Sequence, residues 1–109
     1  MLLGSGQRPL NTINSIDTVH NYYEKLVIEQ ILLLSPRSRN DTDFLADTAC
    51  VALNRLPPKY IRHDVDMTFF MSPQELEETN RKVEKAVTDA LNYVSERESE
   101  RIQTNDDSA

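Results

Sequence analysis

The strongest constraint on the fold of this chain is residues 47–60, a helix-forming segment that runs directly into two consecutive prolines. Small side chains in and just before this segment would let a second helix approach closely; they are Ala46, Ala49, Cys50 and Ala52. Pro57 and Pro58 keep the residues before them out of the α region, so the helix is predicted to end near Leu56. The chain therefore contains a central core helix with an extended exit.

The same segment carries a family resemblance. Its residues, Asp47-Thr-Ala-Cys-Val-Ala-Leu-Asn-Arg-Leu-Pro-Pro-Lys-Tyr60, resemble the signature of the ComFB late-competence family. Asn21-Tyr-Tyr-Glu-Lys-Leu-Val27 is similar to the first helix of that family, and residues 71–94 are similar to its last helix. Residues 60–72 resemble the cyanobacterial branch. That resemblance implies a receptor for cyclic di-GMP, or for the related nucleotides cyclic di-AMP or cyclic AMP.

Composition favours one small helical domain. The chain has 109 residues, few glycines, no tryptophan and 28% charged residues, which suits helices better than a β-sandwich or barrel. The N-terminal residues lack an apolar run of signal-peptide length, and no later segment has the length and apolarity of a membrane span. We therefore expect a cytoplasmic protein without membrane insertion.

Charge is distributed unevenly along the chain. The net charge of −6 argues against DNA binding. Residues 37–63 nevertheless hold five cations and three carboxylates, a net of +2, whereas residues 64–109 hold five cations and twelve carboxylates, a net of −7. A basic region inside an acidic protein suits a small anion bound at one place better than a long polyanion.

The first helix is predicted over residues 15–34, with Ser15 or Asp17 as its cap. One face repeats apolar side chains at helical spacing: Ile16, Val19, Tyr23, Leu26, Val27, Ile31 and Leu34. Ile28, Leu32 and Leu33 widen this stripe beyond what one partner within the chain requires. We therefore expect a symmetric homodimer.

A capping box, Ser72-Pro-Gln-Glu75, starts the last helix. Its packing positions follow a heptad spacing: Leu76, Asn80, Val83, Val87, Ala90 and Val94. The predicted organisation is a flexible tail over residues 1–14, a ComFB-like domain over residues 15–97 and a disordered polar tail over residues 98–109. The predicted fold class is all-α, a small three-helix domain with a short extended segment in which Phe69 and Phe70 fill the core.

The candidate ligand site lies at the exit of the central helix. A purine dinucleotide requires cations for its phosphates, planar groups against its bases, and amide or carboxylate groups for the guanine edge. Arg55, Lys59 and Arg62 suit the phosphates, and Tyr60 suits stacking, although Tyr60 is equally interpretable as a core residue. The other candidates are Arg37, Arg39, Asp47, Asn54 and His63.

Each of these residues also has a purely structural interpretation. Arg55 complements the negative end of the central helix dipole, and Asp47 suits a hydrogen bond to a neighbouring group. Arg37 and Arg39 precede the central helix and lie about 20 Å from its exit at a rise of about 1.5 Å per residue. They are therefore expected to approach Arg55 only across a dimer.

Other chemistry has little support in the sequence. Some ComFB family members carry a cysteine set that binds zinc, but this chain has only Cys50, whose apolar neighbours predict a buried thiol. His63, Asp64 and Asp66 form a weak metal motif. No nucleophile with a base, pair of carboxylates at catalytic spacing or glycine-rich phosphate loop is visible, so we expect neither catalysis nor a cofactor.

Two functions follow from these observations. The first is a non-enzymatic cyclic di-GMP receptor that regulates competence, motility or cell size through a downstream regulatory protein. The alternative is a scaffold protein of the competence and pilus machinery, in which the basic residues contact an acidic partner instead of a nucleotide.

Overall fold

Three helices account for most of the computed structural model, which describes residues 18–62, 67 and 69–108, with side chains through residue 102. In chain order the elements are strand β1 (His20–Asn21), helix α1 (Tyr23–Leu34), a 3₁₀ helix (Pro36–Arg39), helix α2 (Thr42–Asn54), strand β2 (Tyr60–Ile61) and helix α3 (Pro73–Ser108). The predicted all-α class, with three main helices and a short extended segment, is confirmed. Within the described residues, no helix has the length and apolar character that a membrane crossing requires.

Helix α1 begins later than predicted. His20 and Asn21 instead pair antiparallel with Ile61 and Tyr60 as a short two-stranded sheet. The side-chain oxygen of Asn21 accepts a hydrogen bond from the backbone N–H of Tyr23 at 3.2 Å, so it satisfies a free donor at the start of α1. The caps that we predicted, Ser15 and Asp17, lie outside the described residues.

Helix α2 has a capping side chain at its start and two prolines shortly after its end. Asp41 caps its start, because its carboxylate accepts the backbone N–H of Phe44 at 3.0 Å. Arg55 is the C-cap, and its N–H donates to the carbonyl of Ala52 at 3.0 Å. The two prolines follow directly, so the chain leaves α2 without another helical turn and reaches β2.

The core forms where the three helices meet. Its buried side chains are Tyr22 at the N-cap of α1, Tyr23, Val27 and Ile31 from α1, Ala49, Ala52 and Leu56 from α2 and its exit, and Val83, Ala86, Val87 and Ala90 from α3. Ala52 and Ala90 are fully buried, as expected for small residues between closely packed helices. Helices α2 and α3 run antiparallel, because Asp41 lies near Glu98 whereas Arg55 lies near Tyr93.

Helix α3 begins at the predicted capping box and continues past residue 97 to Ser108. The N–H of Ser72 donates to the Glu75 carboxylate at 3.0 Å, and the N–H of Glu75 donates to the Ser72 hydroxyl at 3.1 Å. The heptad assignment is wrong at one position, because Thr79 is buried and Asn80 is exposed. Burying the Asn80 amide would require hydrogen-bond partners for it.

Two predictions of burial are wrong. Phe69 and Phe70 do not fill the core: they are 82% and 80% exposed and pack against each other, with ring centroids 5.7 Å apart. Cys50 is exposed as well. The buried face of α2 includes Ala49 and Ala52, and Cys50 is rotated about 100° around the helix axis from Ala49.

Candidate functional site

A groove lies beside the exit of α2, where the chain passes along helix α3. We call it the exit groove; its volume is about 450 Å³, and it is lined by Arg55, Leu56, Pro57, Lys82, Lys85, Ala86 and Asp89. Small-molecule sites in proteins typically occupy about 300–1,000 Å³. The exit groove is therefore large enough to hold part or all of a small organic anion.

The exit groove carries excess positive charge. Lys85 is paired with Asp89 on the next helical turn, with 3.1 Å between its nitrogen and the carboxylate. In the part of the chain that the structure describes, the ion pairs within 4.0 Å include neither Arg55 nor Lys82. The guanidinium carbon of Arg55 lies 5.7 Å from the centroid of the Tyr93 ring, a cation–π contact. Two cations of the groove are thus available to an anion.

The backbone of the exit is fixed to the start of α1. The N–H of Tyr22 donates to the carbonyl of Lys59 at 2.6 Å, and the N–H of Lys59 donates to the side-chain oxygen of Asn21 at 3.1 Å. Asn21 is buried, and its side-chain oxygen also accepts a hydrogen bond from the N–H of Tyr23. Its amide therefore links β1, the start of α1 and the exit segment. These bonds fix the backbone of Lys59 against the start of α1.

The three cations predicted to cluster at the exit contact three different parts of the molecule. Arg55 lies over Tyr93, and Arg62 donates from Nε to the hydroxyl of Thr18 at 3.3 Å. Lys59 lies near Glu75, whose pKa is lowered mainly by the hydrogen bonds from Ser72 and further by the charge of Lys59. The cations therefore follow the exit segment instead of meeting at one point.

Tyr60 lies on β2 with most of its side chain in solvent. Its side chain is 68% exposed, so the interpretation of Tyr60 as a core residue is wrong. An exposed aromatic ring is suited to stacking against a planar group.

Arg37 is far from the exit, as predicted, because it contacts the opposite end of α2. Its guanidinium donates to both carboxylate oxygens of Glu98 at 2.7 and 2.8 Å and to Asp41 at 3.2 Å, and it covers the ring of Phe44 at 4.1 Å. These contacts raise the pKa of Arg37 and lower that of Glu98. Through these contacts Arg37 links α3 to the start of α2. The neighbouring Arg39 donates to the carbonyl of Leu32 at 3.1 Å.

The other candidates lie away from the exit groove or outside the described residues. Asp47 lines a second groove on α2 and α3, and the Asn54 amide donates to the sulfur of Cys50 at 3.9 Å. His63, Asp64 and Asp66 lie outside the described residues. Within the described part of the chain, no group of three or more His, Cys, Asp and Glu side chains has the arrangement of a metal site.

The sequence does not point to Lys82 and Lys85, which are the other two cations of the exit groove. In the sequence they belong to the mixed charges on the outer face of the last helix. Their spacing of three residues places both on one helical face, but nothing local shows that this face meets Arg55. That juxtaposition depends on the packing of α2 against α3.

A comparison with known protein families found a match. The family described as Late competence development protein ComFB matches residues 20–98, which include α1, α2 and the part of α3 up to residue 98. The chain belongs to this family. Comparisons with curated proteins and with solved structures gave no match.

Proposed function

We propose that this member of the ComFB family is a non-enzymatic receptor for cyclic di-GMP and that the exit groove holds the phosphates of the ligand. One observation carries the proposal: Arg55 and Lys82 line one groove, and neither has a carboxylate partner within 4.0 Å among the described residues. In a chain with a net charge of −6, such a local excess of cations favours a small anion.

The surroundings of the groove suit the rest of a cyclic dinucleotide. Lys59 and Arg62 continue the positive charge along the exit, and the exposed ring of Tyr60 offers a surface for a base. Because Asn21 accepts the N–H of Lys59 and pairs with Tyr60 in the short sheet, the backbone of this segment is positioned before the ligand binds. Preorganisation of this kind lowers the entropic cost of binding.

A homodimer would suit a ligand that has two-fold symmetry of its own. Exposed apolar side chains on α1 are the proposed interface: Ile28, Leu33 and Leu34. Burying them against a second copy removes apolar surface from water. The proposed receptor is cytoplasmic, binds cyclic di-GMP without cleaving it, and signals through a downstream regulatory protein.

Calorimetric titration with cyclic di-GMP tests the proposal, with cyclic di-AMP and cyclic AMP as competitors. We expect micromolar or tighter binding of cyclic di-GMP that weakens in Arg55→Ala and in Arg62→Ala, and we expect the nucleotide to stay intact after long incubation. If no heat is released with any of the three nucleotides, the receptor proposal fails. If the nucleotide is hydrolysed, the protein is an enzyme.

The second candidate is a scaffold protein of the late-competence and pilus machinery. It is favoured by the exposure of Phe69 and Phe70, since large apolar side chains in solvent often mark protein contacts. On this account Arg55→Ala weakens a protein complex and changes no nucleotide-dependent signal. Co-purification with and without added cyclic di-GMP distinguishes the two functions.

A further inference from the structure

A second groove lies between α2 and α3, on a different part of their contact from the exit groove. We call it the side groove; its volume is about 330 Å³, and it is lined by Asp47, Cys50, Val51, Tyr93, Val94, Arg97, Glu98 and Arg101. We propose that the side groove docks an acidic amphipathic helix of a partner protein. This proposal does not depend on nucleotide binding.

The charge of the side groove is more positive than its composition suggests. Both carboxylate oxygens of Glu98 are occupied by Arg37, at 2.7 and 2.8 Å, so Glu98 is already neutralised. Arg97 and Arg101 lie one helical turn apart and take part in no ion pair within 4.0 Å among the described residues. Two adjacent guanidinium groups are thus available to carboxylates.

The remaining lining residues suit an apolar side chain. Val51 is partly buried and Val94 is buried, and Cys50 offers an exposed thiol beside them. Tyr93 forms a wall, with the guanidinium carbon of Arg97 at 5.8 Å from its ring centroid. Tyrosine and arginine around a small apolar centre are typical of residues that dominate binding energy at protein interfaces.

The positions of the side chains in the side groove define which side chains the partner helix carries. Arg97 and Arg101 match two carboxylates one turn apart, and the apolar floor matches a leucine between them. Asp47 lies on the α2 side of the groove and repels a carboxylate placed there. The partner helix is therefore acidic along one edge only, which fixes its orientation.

Cys50 provides a direct readout, because it is the only cysteine of the chain and lines the side groove. The probe is a synthetic helical peptide with two glutamates four residues apart that flank a leucine. A second peptide has lysines in place of the glutamates. Modification of Cys50 by a thiol reagent is timed with each peptide present, and the affinity of each labelled peptide is measured by fluorescence anisotropy, without nucleotide.

We expect the glutamate peptide to slow the modification of Cys50 and the lysine peptide to leave it unchanged. Arg97→Glu with Arg101→Glu is expected to weaken the glutamate peptide about tenfold or more and to strengthen the lysine peptide. The matched control is Arg81→Glu, because Arg81 lies on the same helix and pairs with Glu77 outside the groove. The control is expected to bind like the unchanged protein.

Three results overturn the proposal. The first is an absence of Cys50 protection at millimolar concentrations of the glutamate peptide. The second is equal affinity of that peptide for the double variant and the unchanged protein. The third is a protein dimer, seen by sedimentation, that dissociates in the double variant but not in Arg81→Glu, because a second copy would then occupy the groove. Cyclic di-GMP affinity is expected to be the same in the double variant, so failure here is distinguishable from failure of the receptor proposal.

Discussion

The side-chain oxygen of Asn21 accepts the backbone N–H of Lys59 at 3.1 Å, although 38 residues separate them in the sequence. The same oxygen accepts the N–H of Tyr23 at 3.2 Å. One buried amide therefore forms hydrogen bonds with both the first turn of α1 and the segment that follows Pro58. The position of Lys59, and of the exit residues after it, depends on this contact.

The Asn21 contact is tested by Asn21→Ala. This change leaves the buried N–H of Tyr23 and the partly buried N–H of Lys59 without their acceptor, and we expect a loss of about 1–3 kcal/mol in the free energy of unfolding. Asn21→Asp keeps the acceptor oxygen, so its loss is expected to be smaller. Urea denaturation measures both. Equal losses in the two variants would show that the acceptor is not what matters at this position.

Acid is expected to destabilise the protein through three carboxylates whose pKa is lowered, those of Asp41, Glu75 and Glu98. Arg37 lowers the pKa of Glu98, the N–H of Phe44 and then Arg37 lower that of Asp41, and Ser72 lowers that of Glu75. A group with a lowered pKa stabilises the fold above its unfolded pKa, about 3.9 for Asp and 4.3 for Glu, and loses that contribution as the pH falls through its folded pKa.

The melting temperature is therefore expected to fall as the pH drops from about 5 towards about 3. Glu98→Gln removes one of these carboxylates, so we expect a lower melting temperature at neutral pH and a smaller drop in acid. Glu96→Gln is the matched control, because Glu96 is exposed and forms no ion pair within 4.0 Å among the described residues. An identical acid profile in Glu98→Gln and in the unchanged protein would contradict this account.

Ile31 lies on the core face of α1, whereas Leu33 lies on its exposed face. Ile31 is fully buried, so Ile31→Ala is expected to cost about 2–5 kcal/mol of unfolding free energy. Leu33 is 69% exposed, so Leu33→Ala is expected to change the stability of a single chain by about 0.5 kcal/mol or less. Denaturation at several protein concentrations checks both values. A concentration-dependent loss in Leu33→Ala alone would support the proposed dimer interface.

Local signals in the sequence predicted the start of α3 and the end of α2. The capping box at Ser72 and Glu75 and the stop before Pro57 each depend on residues within one turn. The strand at His20 was missed because its partner is Ile61, and a pairing over such a distance has no local pattern. The apolar period of the first helix was simply extended through these residues.

Burial was harder to predict than helix position. Cys50 has apolar neighbours in the sequence, yet the direction of its side chain depends on which face of α2 meets α1 and α3. Phe69 and Phe70 look like core residues by composition and are exposed. The segments that resemble the ComFB family lie within the matched residues 20–98. The assignment to the cyclic di-GMP branch of that family stays a proposal.

The candidate site likewise contains residues that local sequence predicts and residues that it does not. Arg55 was predicted from its place at the end of the central helix, whereas Lys82 joins it only through the packing of α2 on α3. The contact of Arg37 with Glu98 spans 61 residues and gave no signal either. Residues that act through such contacts require the tertiary structure to identify them.

Lys82 therefore provides the most direct test of the central claim, that the exit groove binds cyclic di-GMP. The measurement is the affinity for cyclic di-GMP of Lys82→Ala beside that of Arg81→Ala, its neighbour outside the groove. We predict that Lys82→Ala weakens binding about tenfold, as expected for loss of a cation from a phosphate site, and that Arg81→Ala leaves it unchanged. Equal affinities in both variants and in the unchanged protein would contradict the assignment of the groove.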